Sequence, residues 1–218
     1  MGGFYHSFVP GGTGWLFMDL ILVLGVFALA IVVDRIYFIS VRSNIDATRF
    51  MAEIHKLLLN SDYKRAISLC KSAGRRALPQ VVKKALEEAE RMEFVDFRTI
   101  QNTVDEAALE VIPRLTARTG WLAMIANVST LLGLMGTIYG LILAFASYST
   151  AGTSLSASDL ATGIAIAMYT TYAGLAVAIP SYFFHHYLSS TTTSIIDDID
   201  EQSVKLIHLL TGSATSGN

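Results

Sequence analysis

The residues able to do chemistry in this sequence are hydroxyls and one amide set in uncharged, apolar runs. Asn127, Thr130 and Thr137 recur along one strip of a helix drawn at about 100° per residue, beside Leu134 and Leu141, and Thr170 and Thr171 fall in a later run. A threonine hydroxyl donates and accepts without carrying charge. In an apolar lumen such groups replace part of an ion's water, whose loss is otherwise costly. They can equally satisfy themselves on their own i−4 carbonyls and do nothing more. An acidic partner is missing from both runs: no Asp, Glu, Lys or Arg lies in residues 120–158 or 160–196. Membrane-embedded ionisable groups are the usual ion carriers, so a carboxylate on any ion path must come from elsewhere. There is no nucleophile–base pair, metal-ligand motif or phosphate-binding loop, and Cys70 stands alone. No enzyme activity, cofactor, metal or nucleic-acid partner is expected.

Small residues occupy a neighbouring sector. Ser129, Gly133, Gly136, Gly140 and Ser147 line one narrow face of the first run. Gly163, Ala167, Thr170, Thr171, Gly174, Ala178 and Ser181 share a face of the next, with Ile164, Met168, Tyr172, Leu175 and Ile179 opposite. Small faces let helix backbones approach closely in lipid. Gly133, Gly136, Gly140, Gly163 and Gly174 are therefore assigned to helix packing, and assembly of copies is expected to depend on them. Pro180 is expected to kink the second of these helices and Pro113 to bend the approach to the first.

These residues need helices in a bilayer to position them. Charged residues make up only 16% of the chain, against roughly 25% in a soluble domain, and mean hydropathy is +0.48. Three apolar stretches, 15–40, 120–148 and 159–188, each exceed the ~20 residues needed to cross a ~30 Å hydrocarbon core. The first is expected to be a retained span, because no basic segment precedes it and Arg35 and Arg42 follow it. Fifteen of the sixteen Lys and Arg residues lie between Arg35 and Arg118. The positive-inside rule therefore places residues 41–119 in the cytoplasm, with segment 1–14 and turn 149–158 outside and tail 189–218 inside.

The fold class expected is an all-α integral membrane protein with three transmembrane helices, a helical cytoplasmic domain, N-terminus out and C-terminus in. Within that domain Phe50, Ile54, Leu57 and Leu58 show helical spacing, Ser61 and Asp62 could cap a second helix closed by Gly74, and Pro79 suits the first turn of a third. The segment from about Asp96 to Arg118 should lead straight into the second span. Asp34 and Arg35 are expected to form an interfacial pair, and residues 212–218 to be disordered.

Two motifs carry a family resemblance. The run Leu131-Leu132-Gly133-Leu134-Met135-Gly136-Thr137-Ile138-Tyr139-Gly140 resembles the LLGLxGTVxG signature of the MotA/TolQ/ExbB proton-channel family. The segment from Gly163 to Pro180 is similar to that family's GIAxALxxTxxGLxxAIP, and the three-span layout resembles the ExbB/TolQ branch. The resemblance implies a pentameric collar in the bacterial cytoplasmic membrane, surrounding the single-span helices of an ExbD/TolR-like partner that supplies a membrane aspartate. It further implies that Thr137 and Thr171 match the family's lumen threonines, and that ion flow works on a TonB- or TolA-like or motility effector. Ile166 stands where relatives often carry glutamate, so a second titratable site is absent from the third span. The rival expectation is a non-conducting membrane scaffold whose small faces only pack helices.

Overall fold

The computed structural model describes residues 15–39, 46–60, 62–74, 76–92, 96–150 and 157–215, and these form seven helices with no strand among them. They are α1 (Trp15–Tyr37), α2 (Ala47–Leu59), α3 (Tyr63–Ser72), α4 (Ala77–Arg91), α5 (Phe97–Thr116), α6 (Thr119–Thr150) and α7 (Ala157–Thr215). Three stretches are helical, long and apolar enough to cross a membrane: Trp15–Tyr37, one within Phe97–Ala146 and one within Leu160–Gly212. Segment 1–14 and most of the turn expected at 149–158 lie outside the described residues. The chain divides into two units, residues 15–34 with Arg118–Tyr187, and Arg35–Ala117 with residues 188–215.

The first unit turns the usual soluble pattern inside out. Leu16, Val23, Val26, Phe27, Leu131, Leu134, Met135, Ile138, Met168 and Ile179 are exposed, whereas Ser129, Thr170 and Ser181 are buried. Lipid tails are as apolar as leucine, so nothing drives large apolar side chains inward. Close packing of small residues holds such helices together instead. Helix α1 buries Met18, Ile21, Ala28 and Val32, at three-, seven- and four-residue steps along one face. It meets α7 where Gly25 faces Val177, a Cβ at Gly25 lying 3.1 Å from the valine methyl, and α6 where the Phe17 and Tyr139 rings stand 5.5 Å apart.

The second unit follows soluble rules. Phe50, Met51, Ile54, Ala66, Ile67, Val81, Val82, Leu86, Ile100 and Val104 are buried, while Leu57 and Leu58 are half-buried. Three helices open on the same device: Asp46, Asp62 and Asp96 each accept a hydrogen bond from the amide three residues on, at 3.1, 3.3 and 3.1 Å. Asp62 thus caps α3, while Ser61 lies outside the described residues. Gly74, with φ 76°, takes the left-handed conformation that stops it. Pro79 is buried in the first turn of α4. Glu110 of α5 accepts from Lys84 of α4 at 2.6 Å and from Arg114 at 2.7 Å, and the Lys84 ammonium holds its carboxyl below the usual range. Cys70 is 2% exposed, and burial pushes its thiol up to about 12. As pH rises from 9 towards 12, the unfolded thiol ionises before the folded one, so this group increasingly favours unfolding over that window.

Two expectations need correction. Asp34 and Arg35 do not pair: adjacent helix residues point about 100° apart. Asp34 instead meets Arg118 at 3.3 Å, while Arg35 is 3% exposed, donates to the Leu115 carbonyl and lies over the Phe38 ring at 5.2 Å. Its cation thus sits on the last turn of α5, where unsatisfied carbonyls favour positive charge. The segment expected to lead into the second span does so directly in sequence, with a break of two residues, Ala117 and Arg118, just after the proline expected to bend it. Pro113 lies in the last turn of α5, the Ala117 amide closes on the Pro113 carbonyl, and Arg118 takes φ 65° before α6 begins. Residues 212–215, expected to be disordered, instead form the end of α7, which contains Pro180 and continues to Thr215. Leu188, Thr192, Ile195, Ile199, Leu206 and Leu210 are buried along it, giving residues 188–210 an apolar face that keeps them helical. Ser216, Gly217 and Asn218 lie outside the described residues.

Candidate functional site

Helices α6 and α7 form an antiparallel hairpin held by backbone-to-backbone approach. A Cβ built on Gly174 would lie 2.6 Å from the Ser129 carbonyl oxygen and 3.1 Å from Gly133 Cα. One on Gly133 would lie 3.1 Å from the Thr170 carbonyl, and one on Gly136 would lie 2.6 Å from Thr170 Cβ and Oγ1. Further along, Gly140 faces Ala167 N and Gly163 O at 2.9 Å, and Gly163 faces Ala144 Cβ at 2.6 Å. A side chain at Gly140, Gly163 or Gly174 would press on backbone of the facing helix, one at Gly136 would press on the Thr170 side chain, and one at Gly133 would need its neighbours to give by a few tenths of an ångström. All five glycines assigned to packing thus lie in one seam, and that seam is internal to a single chain.

The hydroxyls divide between the seam and its edge. Thr170 is 1% exposed, packs on Gly136 and donates to the carbonyls of Ala167 at 2.9 Å and Ile166 at 3.2 Å. Thr171 is half-buried and reaches both its own helix, at Ala167 O (3.3 Å), and across the seam, at Gly133 O (3.4 Å). Thr137, one turn beyond Gly133, is half-buried and donates to Leu134 O at 2.6 Å. Thr130, one turn before Gly133, is exposed and donates to Ala126 O at 3.0 Å. Asn127 is exposed, and its side-chain carbonyl accepts from the Tyr182 hydroxyl of α7. Asn127, Thr130, Thr137 and Thr171 therefore share one edge of the hairpin. Tyr182 joins them, although its position in the sequence marks only an aromatic near the end of a span.

Each edge hydroxyl is already bonded to a carbonyl, so its oxygen lone pairs remain available to a cation or water while its proton is engaged. An edge of this kind can solvate a passing ion but cannot take up a proton as a base. Among the described residues no group of three or more His, Cys, Asp or Glu could hold a metal. Pro180 lies inside α7 close to this edge's Tyr182 end, and Ser181 beside it donates to Val177 O at 2.7 Å.

An all-helical, multi-pass membrane protein with a glycine-seamed hairpin and a hydroxyl-bearing edge is the class these features define. The model of the MotA/TolQ/ExbB proton channel family matches residues 74–201, more than half of the chain. The chain belongs to the MotA/TolQ/ExbB proton channel family, and its similarities are ExbB-like. It is 32% identical over 161 residues to the putative biopolymer transport protein ExbB-like 3 of Synechocystis sp., covering 72% of each chain. It is 24% identical over 202 residues to a putative biopolymer transport protein ExbB homolog of Methanothermobacter thermautotrophicus, covering 91% of this chain and 67% of that one. Over 60 residues it is 45% identical to the biopolymer transport protein exbB1 of Vibrio cholerae, a match spanning 28% of this chain and about a quarter, 26%, of that protein. In fold it is similar to a chain of the structure of C. jejuni MotAB, with a TM-score of 0.64 at 14% identity over 93% of this chain and 79% of that one.

Proposed function

We propose that this chain is the collar subunit of an ion-motive-force-driven membrane motor, acting with a single-span, ExbD/TolR-like partner. The observation that carries the reading is the hairpin edge itself. It offers the hydroxyls of Thr130, Thr137 and Thr171 and the amide of Asn127, within runs that hold no acidic residue. Such an edge suits a lumen in which a partner helix brings the titratable carboxylate. Ion entry neutralises that carboxylate, and each elementary charge moved through 100 mV supplies about 2.3 kcal/mol. That is enough to shift packed helices between discrete arrangements without unfolding them. Five copies around the partner, a place in the bacterial cytoplasmic membrane, and a TonB- or TolA-like or motility effector complete the proposal.

The test is reconstitution of the purified chain in vesicles carrying a proton gradient and a pH-sensitive dye. The chain alone should leak little, and co-reconstitution with a single-span, ExbD/TolR-like partner should raise proton flux many-fold. Robust flux through this chain alone would overturn the division of labour. One observation favours a second reading, that of a non-conducting scaffold: each threonine hydroxyl of the edge donates to a main-chain carbonyl, and the Tyr182 hydroxyl donates to the Asn127 side-chain carbonyl. That reading predicts no flux with any partner.

The proposed topology places spans at 15–40, 120–148 and 159–188, with 41–119 and 189–218 in the cytoplasm, on the strength of the basic residues between Arg35 and Arg118. Reporter fusions after Gly74 or Gly212 should give a cytoplasmic signal, and a fusion after Gly152 an external one. A cytoplasmic signal at Gly152 would remove the hairpin from the membrane.

A further inference from the structure

An ion pair stands over an apolar crevice where α1 meets α6. Asp34 and Arg118 meet at 3.3 Å with side chains 58% and 69% exposed. Together with Phe27, Ala30, Ile31 and Trp121 they line a cavity of about 380 Å³. Asp34 follows Trp15 by nineteen residues of helix, about 28 Å at ~1.5 Å per residue, so it stands at the far interface of a ~30 Å hydrocarbon core. The apolar lining residues Phe27, Ala30 and Ile31 lie one to two turns deeper on the same helix, at acyl-chain depth. Trp121, 52% exposed, has the amphipathic ring that settles at headgroup level.

Arg118 is the described non-glycine residue with positive φ, 65°, a conformation in which glycine or asparagine would be less strained. A cation is thus held at this point against the preference of its backbone. An isolated arginine would recruit any anionic lipid, but here a carboxylate accompanies it. The pair presents one positive and one negative group side by side, complementary to a headgroup carrying a phosphate and an ammonium.

We propose that this crevice is a binding site for one zwitterionic phospholipid with a primary-amine headgroup, of the phosphatidylethanolamine type. The phosphate lies on Arg118, the ammonium donates to Asp34, and the upper acyl chain lies against Phe27, Ile31 and Trp121. A choline headgroup carries the same charges but has no N–H to donate. Selectivity between the two reports Asp34, and overall retention reports Arg118.

Native mass spectrometry of the full-length protein in mild detergent, given equimolar dioleoyl-phosphatidylethanolamine and dioleoyl-phosphatidylcholine, tests this directly. The ethanolamine adduct should exceed the choline adduct by about three-fold, the size of one exposed charge-assisted contact. Asp34→Asn should abolish that preference while lipid is still retained, and Arg118→Gln should reduce retention of both lipids. Soluble glycerophosphoethanolamine should not displace the lipid, because it lacks the chain that fills the crevice. Equal adducts on the wild-type protein would overturn the proposal even if neither variant folds. It would equally be overturned by a preference that survives Asp34→Asn, by displacement with the soluble headgroup, or by variants that alter only the number of associated copies.

Discussion

Alanine at position 174 is expected to destabilise the membrane hairpin by about 1–3 kcal/mol, the usual cost of forcing extra volume into a packed interior. The added methyl group would lie 2.6 Å from the Ser129 carbonyl oxygen and 3.1 Å from Gly133 Cα. Both are main-chain atoms, so no side chain can rotate aside and the helices must separate. Leucine at Gly136 should cost more. Its Cβ alone would lie 2.6 Å from Thr170 Cβ, and Thr170 is buried and β-branched. Gly120→Ala is the control: nothing lies within 4 Å of its Cβ, and alanine is favoured over glycine in a helix by up to about 1 kcal/mol. Thermal unfolding of the detergent-purified variants, with the fraction recovered as a single species, measures this. Because the seam is internal, Gly174→Ala and Gly136→Leu should weaken the fold of the single chain itself, with any effect on an oligomer following from that. A Gly174→Ala protein that melts with the wild type would show that the hairpin closes along a different line.

The second large effect is expected from Thr137→Val combined with Thr171→Val. Valine keeps the shape of threonine and removes the hydroxyl, so it tests solvation with little change in packing. Structurally the losses are small: a bond from Thr137 to its own helix at 2.6 Å, and long contacts from Thr171 at 3.3 and 3.4 Å. The chain should fold, assemble and hold its partner as the wild type does. On the proposed path, each missing hydroxyl leaves an ion short of a ligand at a cost of about 1–3 kcal/mol. Two together should lower ion-driven flux on the order of 100-fold. Thr137→Ser and Thr171→Ser should restore most of it, since serine returns the oxygen. Full flux in the double valine variant would remove these residues from the path. Loss of assembly in that variant would assign them to packing.

Much of this architecture can be read from local spacing, because lipid imposes a simple rule. Apolar runs long enough to cross announce the three spans, and small residues at three- and four-residue intervals mark the faces that meet. The alternation of Gly163, Ala167, Thr170, Gly174 and Ala178 with Met168, Tyr172 and Ile179 separates buried from exposed positions of α7. What spacing cannot say is which partner a small face chooses. The same glycines could have joined two copies, and they join two helices of one. Contacts between distant residues were equally silent. Arg35 reaches the Leu115 carbonyl and Asp34 reaches Arg118 across about eighty residues of sequence. Charge placement alone suggested the nearer pairing of Asp34 with Arg35. The run Ser189-Ser190-Thr191-Thr192-Thr193-Ser194 has the composition of a loop, since hydroxyls compete for backbone groups. Its helical state rests on Leu188, Thr192, Ile195 and Ile199, whose burial takes the wider face as a unit. Tyr182 was missed because its role depends on the depth at which Asn127 sits on the neighbouring helix.

The state of Cys70 has a practical consequence for watching this protein move. The sole cysteine of the chain is almost fully buried, and its thiol is pushed up to about 12, so at neutral pH it offers almost no thiolate to an electrophile. Towards maleimides and methanethiosulfonates the folded chain is chemically blank. A cysteine placed at an exposed position such as Leu134 or Tyr172 would be the single reactive thiol, and a fluorophore or spin label there would report that position alone, with no need to delete Cys70 from the core it helps fill.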